Sequence, residues 1–253
     1  MANKEVRKIH AVRITCALIR ELQELNRAGV TELANRLDHS KSTIFSHLRT
    51  LEEEGLVVQG GSKYRLSLRF LDVASHIRDQ FPNYKIISTE LESLAEETGE
   101  VAQFGIEEHG QVSYLYKATG GNGVETASSV GTQQPIHSTA LGKVILADMD
   151  EYRVREIVEQ NGLPPKTERT ITDPDELFEA LAEIRERGYA IDNEENVEGL
   201  RCIAAPLLAD SEPIGAVSVS GPSSRFNDEF FTETLPGMVT SAANVIELNS
   251  KFS

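Results

Sequence analysis

Apolar residues near the start of the chain recur every three or four positions, the spacing that lines one face of an α-helix. Ile14, Leu18, Leu22 and Leu25 mark a first helix, expected to run to about Ala28 with Gly29 as its C-terminal cap. Thr31 is then expected to cap a second helix that turns Leu33, Ala34 and Leu37 inward. After the polar turn Asp38-His39-Ser40, Ser40 caps a third helix with the stripe Ile44, Leu48 and Leu51, and Gly55 stops it. The period then shortens. Two β-prone runs, Leu56 to Gln59 and Lys63 to Leu68, flank Gly60-Gly61-Ser62 and predict a hairpin. Helix, helix, turn, helix, hairpin is the order of a winged helix-turn-helix.

Arg69 to Gln80 predicts a connecting helix, with Phe70, Leu71, Val73, Ala74 and Ile77 apolar, and Phe81-Pro82-Asn83 breaks it. The expected division is therefore residues 1–69 (winged domain), 70–80 (linker helix) and 81–253 (a second domain). In that domain Ile86, Ile87, Leu91, Leu94 and Ala95 predict a helix closed by Gly99. Strands are expected at Val101 to Ile106 and Gln111 to Tyr116, with another near 124–130. Helices follow at about Thr139 to Ala147, Glu151 to Gln160 and from Asp173-Pro174 to before Gly188. The last strands are Tyr189 to Asp192, Cys202 to Leu208 and Ile214 to Ser220, before a long helix over about Asp228 to Leu248. Adjacent strands with flanking helices predict an α+β sheet domain rather than strict βαβ alternation.

Charge sharpens the division. The chain of 253 residues carries a net charge of −15, which is unfavourable for a partner as anionic as DNA. Residues 1–75, however, hold 12 Lys/Arg against 9 Asp/Glu, and residues 76–253 hold 13 against 31. A sign change between the parts points to different partners: nucleic acid for the first, not for the second. The N-terminus is charged every few residues, unlike a signal peptide, and no run approaches a membrane span. Cys16 and Cys202 lie far apart without CxxC spacing, and the six His are scattered. Neither a disulfide framework nor a metal site is expected, and a reducing cytoplasm is. Forty Asp/Glu against 25 Lys/Arg also suits a protein from a high-salt cell interior.

A recognition helix needs one face to pack and one to offer short polar and basic side chains to DNA. In the third helix Lys41, Ser42, Thr43, Ser46 and Arg49 fall largely opposite the apolar stripe. Lys41 and Arg49 have the reach for phosphate or guanine; Phe45 suits either a thymine methyl or packing against the wing. Lys63 and Arg65 flank the small hairpin tip, as backbone contacts or as protective charges on a solvated edge.

Four segments, "VTELANRLDHSKSTIFSHLRTLEEEGLV", "PIHSTALGKVILA", "RERGYAIDNEENVEGLRCIAAPLL" and "PIGAVSVSGPSSRF", resemble, in order, the DNA-binding and effector domains of IclR-type regulators. The resemblance runs from about Ile9 to the C-terminus. It implies a GAF-like effector domain, a homodimer or a tetramer made of two such dimers, and DNA affinity set by a small organic acid. A winged helix reads one half-site, so a homodimer is expected on a double-stranded, pseudo-palindromic operator. No cofactor is implied. Two features depart from the pattern: the acidic balance, and Pro236, which is expected to kink or restart the final helix.

The residues of the second domain carry their own signal. Ser218 and Ser220 are two apart in an apolar strand and so share a face. Asp192 ends "YAID", Cys202 opens "CIAAPLL", and "HSTALGK" begins a helix whose free N–H groups favour an anion. The resemblance implies ligand contacts from the backbone N–H groups of Ala140 and Leu141 and the side chains of Asp192, Cys202, Ser218 and Ser220. It also implies an apolar wall at Leu200. The competing structural roles are a half-buried strand face for the serines, an inert core thiol for Cys202 and a turn residue for Asp192. Rival functions are a DNA-independent interaction module, a metal-sensing regulator, and a thiol enzyme built on Cys202, His137 and Asp192.

Overall fold

In the computed structural model the described residues are 8–251 except 82, 125–127, 210–211 and 227–228. The chain divides into two compact units, residues 1–81 and 82–253.

The first unit contains α1 (His10–Leu25), β1 (Ala28–Gly29), α2 (Val30–Leu37), α3 (Lys41–Glu53), β2 (Val57–Gly60), β3 (Lys63–Leu66) and α4 (Arg69–Asp79). Its three strands pair antiparallel in the order β1-β3-β2. The stripes that the spacing marks converge on one core: Leu18, Leu22, Leu33, Ile44 and Leu48 are buried with Tyr64 of the wing. Ser40 caps α3 by accepting from Thr43 N at 3.1 Å, a bond of about 1 kcal/mol in comparable caps. The predicted start of α2 needs correction. Asn26, not Gly29, takes the positive φ after α1, at +61°. Ala28 and Gly29 are then extended because Ala28, fully buried, pairs with Tyr64 of the wing. Gly29 thus precedes α2, and Thr31 lies inside its first turn.

The second unit is an α+β domain. It contains α5 (Tyr84–Thr98), β4 (Val101–Glu108), β5 (Gln111–Thr119), β6 (Gln133–Pro135), α6 (Ala140–Asp148), α7 (Glu151–Asn161), α8 (Pro174–Arg187), β7 (Ala190–Asn193), β8 (Leu200–Ala209) and β9 (Glu212–Pro222). A π-helical turn, Phe230–Thr234, leads into α9 (Leu235–Ser250). One antiparallel sheet runs in the order β6-β5-β4-β9-β8-β7. Alternation along β9 divides its side chains between two cores. Val217 and Val219 pack with Leu91 of α5 and with Leu235, Val239 and Ile246 of α9. Ala216 faces the other way, to Leu141 and Ile145 of α6, Ile157 of α7 and Leu181 of α8.

Two expectations fail here. Among the described residues, 124 and 128–130 form no strand, and 125–127 lie outside them; the edge strand is Gln133–Pro135. The final helix is not continuous from about residue 228: the π turn comes first, and Pro236 stands in the first turn of α9. There its missing N–H needs no acceptor, so proline restarts the helix as its chemistry allows.

Candidate functional site

Two surfaces carry chemistry. The first is the outer face of α3. Lys41, Ser42, Phe45, Ser46 and Arg49 are exposed, and Thr43 is half-buried. Phe45 keeps 49% of its surface open, which leaves its ring available on this face. The hydroxyls are already tied locally: Ser42 and Thr43 Oγ atoms each lie 2.8 Å from Ser40 Oγ, and Ser46 Oγ donates to Ser42 O at 3.0 Å. Arg49 donates to Glu52 at 2.9 Å and to Glu53 at 3.4 Å, so its charge is shared within the helix. Lys63 is exposed at the hairpin tip, opposite Gly60 in register. Arg65 is half-buried and donates to Leu66 O at 3.0 Å, which leaves it less available than Lys63.

The second surface is a cavity of about 200 Å³ between the α6 face of the sheet and the segment after β7. Register builds its floor. Asp192, Cys202 and Ser220 are consecutive partners across β7, β8 and β9, and Ser218 faces Gln103 of β4 one row along. Sharing a face at these spacings, they line the cavity with Leu141 and Leu200. Six of the seven residues named from the sequence therefore meet in one place. Ala140 is buried beside them and does not contribute to the lining.

Helix α6 approaches this floor closely. A Cβ on Gly142 would meet Ile136 O at 1.9 Å, and one on Gly105 of β4 would crowd Leu141 at 3.3 Å. Only glycine fits at the first position, so the helix start is set against backbone. Thr139 caps the helix, its hydroxyl accepting from Gly142 N at 3.0 Å. The N–H groups of Ala140 and Leu141 belong to the first turn, where no intrahelical acceptor exists.

Burial sets the electrostatics. Asp192 is lifted from the usual carboxylate range to about 7, chiefly by burial and further by Glu195, against the pull of Lys143. Burial, reinforced by the Asp192 charge, pushes the Cys202 thiol up to about 12. Ser218 is fully buried, and its Oγ makes no hydrogen bond to nitrogen or oxygen in the protein; it faces only the weakly bonding Cys202 thiol, as Ser220 does. The thiol-enzyme constellation does not assemble. His137 Nε2 pairs with Pro164 O at 3.1 Å and lines a separate 70 Å³ cavity, while Cys202 Sγ points to Ile203 O at 3.8 Å. Among the described residues no group of three or more His, Cys, Asp or Glu is placed to hold a metal. No described helix is long and apolar enough to cross a membrane.

Sequence reasoning missed Gln103, Tyr114, Ser128, Thr139, Asn196 and Val197, which also line the cavity. Gln103 carried a usable signal: it is a polar residue on the inward face of the apolar strand "VAQFGI". Its Nε2 donates to Ser128 Oγ at 2.7 Å. Asn196 and Val197 lie in a loop, where no periodicity reports direction.

Comparison with known proteins adds an independent line. Residues 11–61 match the IclR helix-turn-helix domain, and residues 80–248 match the bacterial transcriptional regulator IclR C-terminal domain. The chain is 33% identical to the probable HTH-type transcriptional regulator ArcR of Halobacterium salinarum, over 97% of this chain and 95% of that one. It is 32% identical to the HTH-type transcriptional regulator KdgR of Escherichia coli, over 97% and 96%. An IclR homolog from Microbacterium hydrocarbonoxydans, solved in complex with 4-hydroxybenzoate, shares the fold with a TM-score of 0.78 at 21% identity, covering 94% of this chain and all of that one.

Proposed function

Because the chain belongs to the IclR family of DNA-binding transcription regulators, we propose that a small organic acid in the α6 cavity controls its hold on DNA. The acid is a catabolic intermediate such as a sugar acid, oxo acid or aromatic acid. The observation that carries this reading is the cavity's pairing of a helix start with Ser218 Oγ, a buried hydroxyl with no nitrogen or oxygen partner in the protein. An orphaned buried hydroxyl costs on the order of 1–3 kcal/mol, and a polar ligand recovers it. In this reading the carboxylate sits at the N–H groups of Ala140 and Leu141, where the helix dipole favours an anion. Ser218, Ser220 and Cys202 offer hydrogen-bonding groups, Asp192 accepts a ligand hydroxyl, and Leu200 forms the apolar wall. The 4-hydroxybenzoate complex of the Microbacterium protein supports only that this fold accommodates a small carboxylic acid.

On the DNA side, α3 enters the major groove with Lys41, Ser42, Thr43, Phe45, Ser46 and Arg49. Lys63 and Arg65 of the wing reach the backbone. Two copies bind a pseudo-palindromic operator as a homodimer, which pairs into a tetramer, in the cytoplasm. The GAF-like description of the second domain and a high-salt cellular interior belong to the same proposal. The test is a fluorescence-anisotropy titration of the protein's own upstream DNA, with and without metabolites of the neighbouring genes' pathway. Sequence-selective binding that one such acid shifts is expected. Absence of selective binding would favour the DNA-independent module instead.

A further inference from the structure

Asp192 has a second role beside the cavity floor. Its Oδ1 accepts from Glu195 N at 2.7 Å and from Asn196 N at 3.3 Å. It thereby fastens the segment 193–199, whose Asn196 and Val197 line the cavity, as does the adjoining Leu200. The segment is anchored from other elements too. Thr170 Oγ1 donates to Glu195 O at 2.6 Å, and Ser138 Oγ donates to Asn196 Oδ1 at 3.2 Å. Below it, Lys143 of α6 and Glu195 form an ion pair with both side chains buried. Glu195 Oε2, buried, has no partner. The segment also holds Glu194 at φ +66°, a conformation that side chains other than glycine rarely take and that neighbouring contacts must maintain.

We propose that segment 193–199 is a proton-linked wall of the cavity, with Asp192 as its clasp and the buried Lys143–Glu195 pair setting the clasp's charge. This rests on the cavity being the effector site. Closure of the wall buries Asp192 and sets the Glu195 carboxylate beside it, and both favour its protonated form over the two N–H bonds that favour its charge. By linkage the wall is therefore fastened most firmly when Asp192 holds a proton and loosens as it ionises.

Every titratable neighbour of Asp192 bears on that step. Lys143 favours the charged form and Glu195 disfavours it. Cys202 of β8 and Tyr114 of β5 also face it, and burial keeps both protonated near neutral pH. Arg201 borders the cavity but sends Nη1 to Phe226 O at 3.1 Å and its guanidinium over the Phe231 ring. His137, whose proton affinity burial lowers against its bond to Pro164 O, with Lys143 adding to the lowering, lines the other cavity. Asp192 is thus the group that changes charge near pH 7. An anion entering the cavity favours its protonated form, so effector binding takes up a proton and weakens as the pH rises.

The experiment needs no effector, so its failure is distinct from failure of the effector reading. Amide hydrogen exchange of the full-length chain is followed from pH 5.5 to 8.5 by NMR, corrected for the intrinsic rate. In the wild type, protection at Glu195 and Asn196 should fall about five- to tenfold as pH rises through the transition near 7. Asp192→Asn should show a flat profile. Lys143→Met should move the transition to higher pH, Lys143→Arg should restore it, and Glu195→Gln should move it to lower pH. A wild-type profile flat across this range overturns the proposal, as does one unmoved by both charge-removing variants. If Lys143→Met does not fold, the wild-type and Glu195→Gln profiles still decide.

Discussion

Arg49 Nη1 lies 2.9 Å from Glu52 Oε2, one turn further along α3. The cation proposed to meet DNA is thus already held by its own helix. Exposed pairs of this kind contribute only about 0.2–1 kcal/mol, so a phosphate or guanine competes readily for the arginine. Arg49→Ala and Lys63→Ala are each expected to weaken operator binding, with the log–log salt slope shrinking by about one per lost phosphate contact. Glu52→Gln should strengthen binding severalfold by releasing Arg49. Anisotropy titrations from 50 to 300 mM KCl check all three, and isotherms indistinguishable from wild type for both cation variants would sink the docking.

Assembly is tested by a helix that buries nothing. No residue of α4 is buried within the chain, and Leu71, Val73 and Ile77 are all exposed. Val73 and Ile77 share one face with Leu71 beside it on another, and so much apolar surface in water marks an interaction region. A homodimer at micromolar concentration is expected by light scattering, and Leu71→Asp combined with Ile77→Asp should shift the mass toward the monomer. A monomeric wild type, with and without DNA, contradicts the assembly.

The pH dependence of stability follows from Asp192. Its folded-state proton affinity is raised to about 7 from 3.8, so the folded chain keeps a proton that the unfolded chain releases. Its contribution is fully present below about pH 4 and is lost as pH rises through 7, on the order of 4 kcal/mol in all. Asp192→Asn removes this slope while keeping an acceptor for the wall. Calorimetry should show the variant melting higher than the wild type at pH 8, with the gap closing by pH 5. Equal melting temperatures at pH 8 would remove the strained carboxylate.

These expectations also show where the sequence was readable. The α3 stripe of Ile44, Leu48 and Leu51 and the Gly60-Gly61 turn are local signals, and local physics decided them. Gly29 was misread because its conformation depends on Ala28 pairing with Tyr64, a contact 36 positions away that no local pattern reports. The seating of β9 between β4 and β8 is likewise non-local, yet it is what brings Gln103 beside Ser218. Ser218, Ser220 and Cys202 were legible because polar or thiol groups within apolar strands invite a reason. Asn196 and Val197 offered none, lying in a loop among acidic neighbours.

The acidic surface has its own expectation. With a net charge of −15, self-repulsion opposes the folded state at low ionic strength, and salt screens it. The melting temperature should rise between dilute buffer and molar KCl. A flat or falling value would mean that the acidity serves only to keep the second domain off DNA.

Ser218 separates a binding role from a structural one. Its Oγ is buried with only the Cys202 thiol, a weak hydrogen-bonding group, facing it, so Ser218→Ala loses little in the free chain and removes a desolvated hydroxyl. The melting temperature should therefore hold or rise slightly, and operator binding without effector should be unchanged, since the residue lies outside the DNA-binding unit. With effector present the account reverses. A ligand oxygen that accepts from Ser218 in the wild type meets a methyl group in the variant, at a cost of about 1–3 kcal/mol, or roughly ten- to a hundredfold in affinity. The measurement is a titration of the operator complex with a metabolite that shifts the wild type, alongside calorimetry of both proteins. A response at wild-type concentrations would place the effector elsewhere. A loss of melting temperature and of operator binding together would make Ser218 a support of the fold, because an orphan that contributes stability is not an orphan.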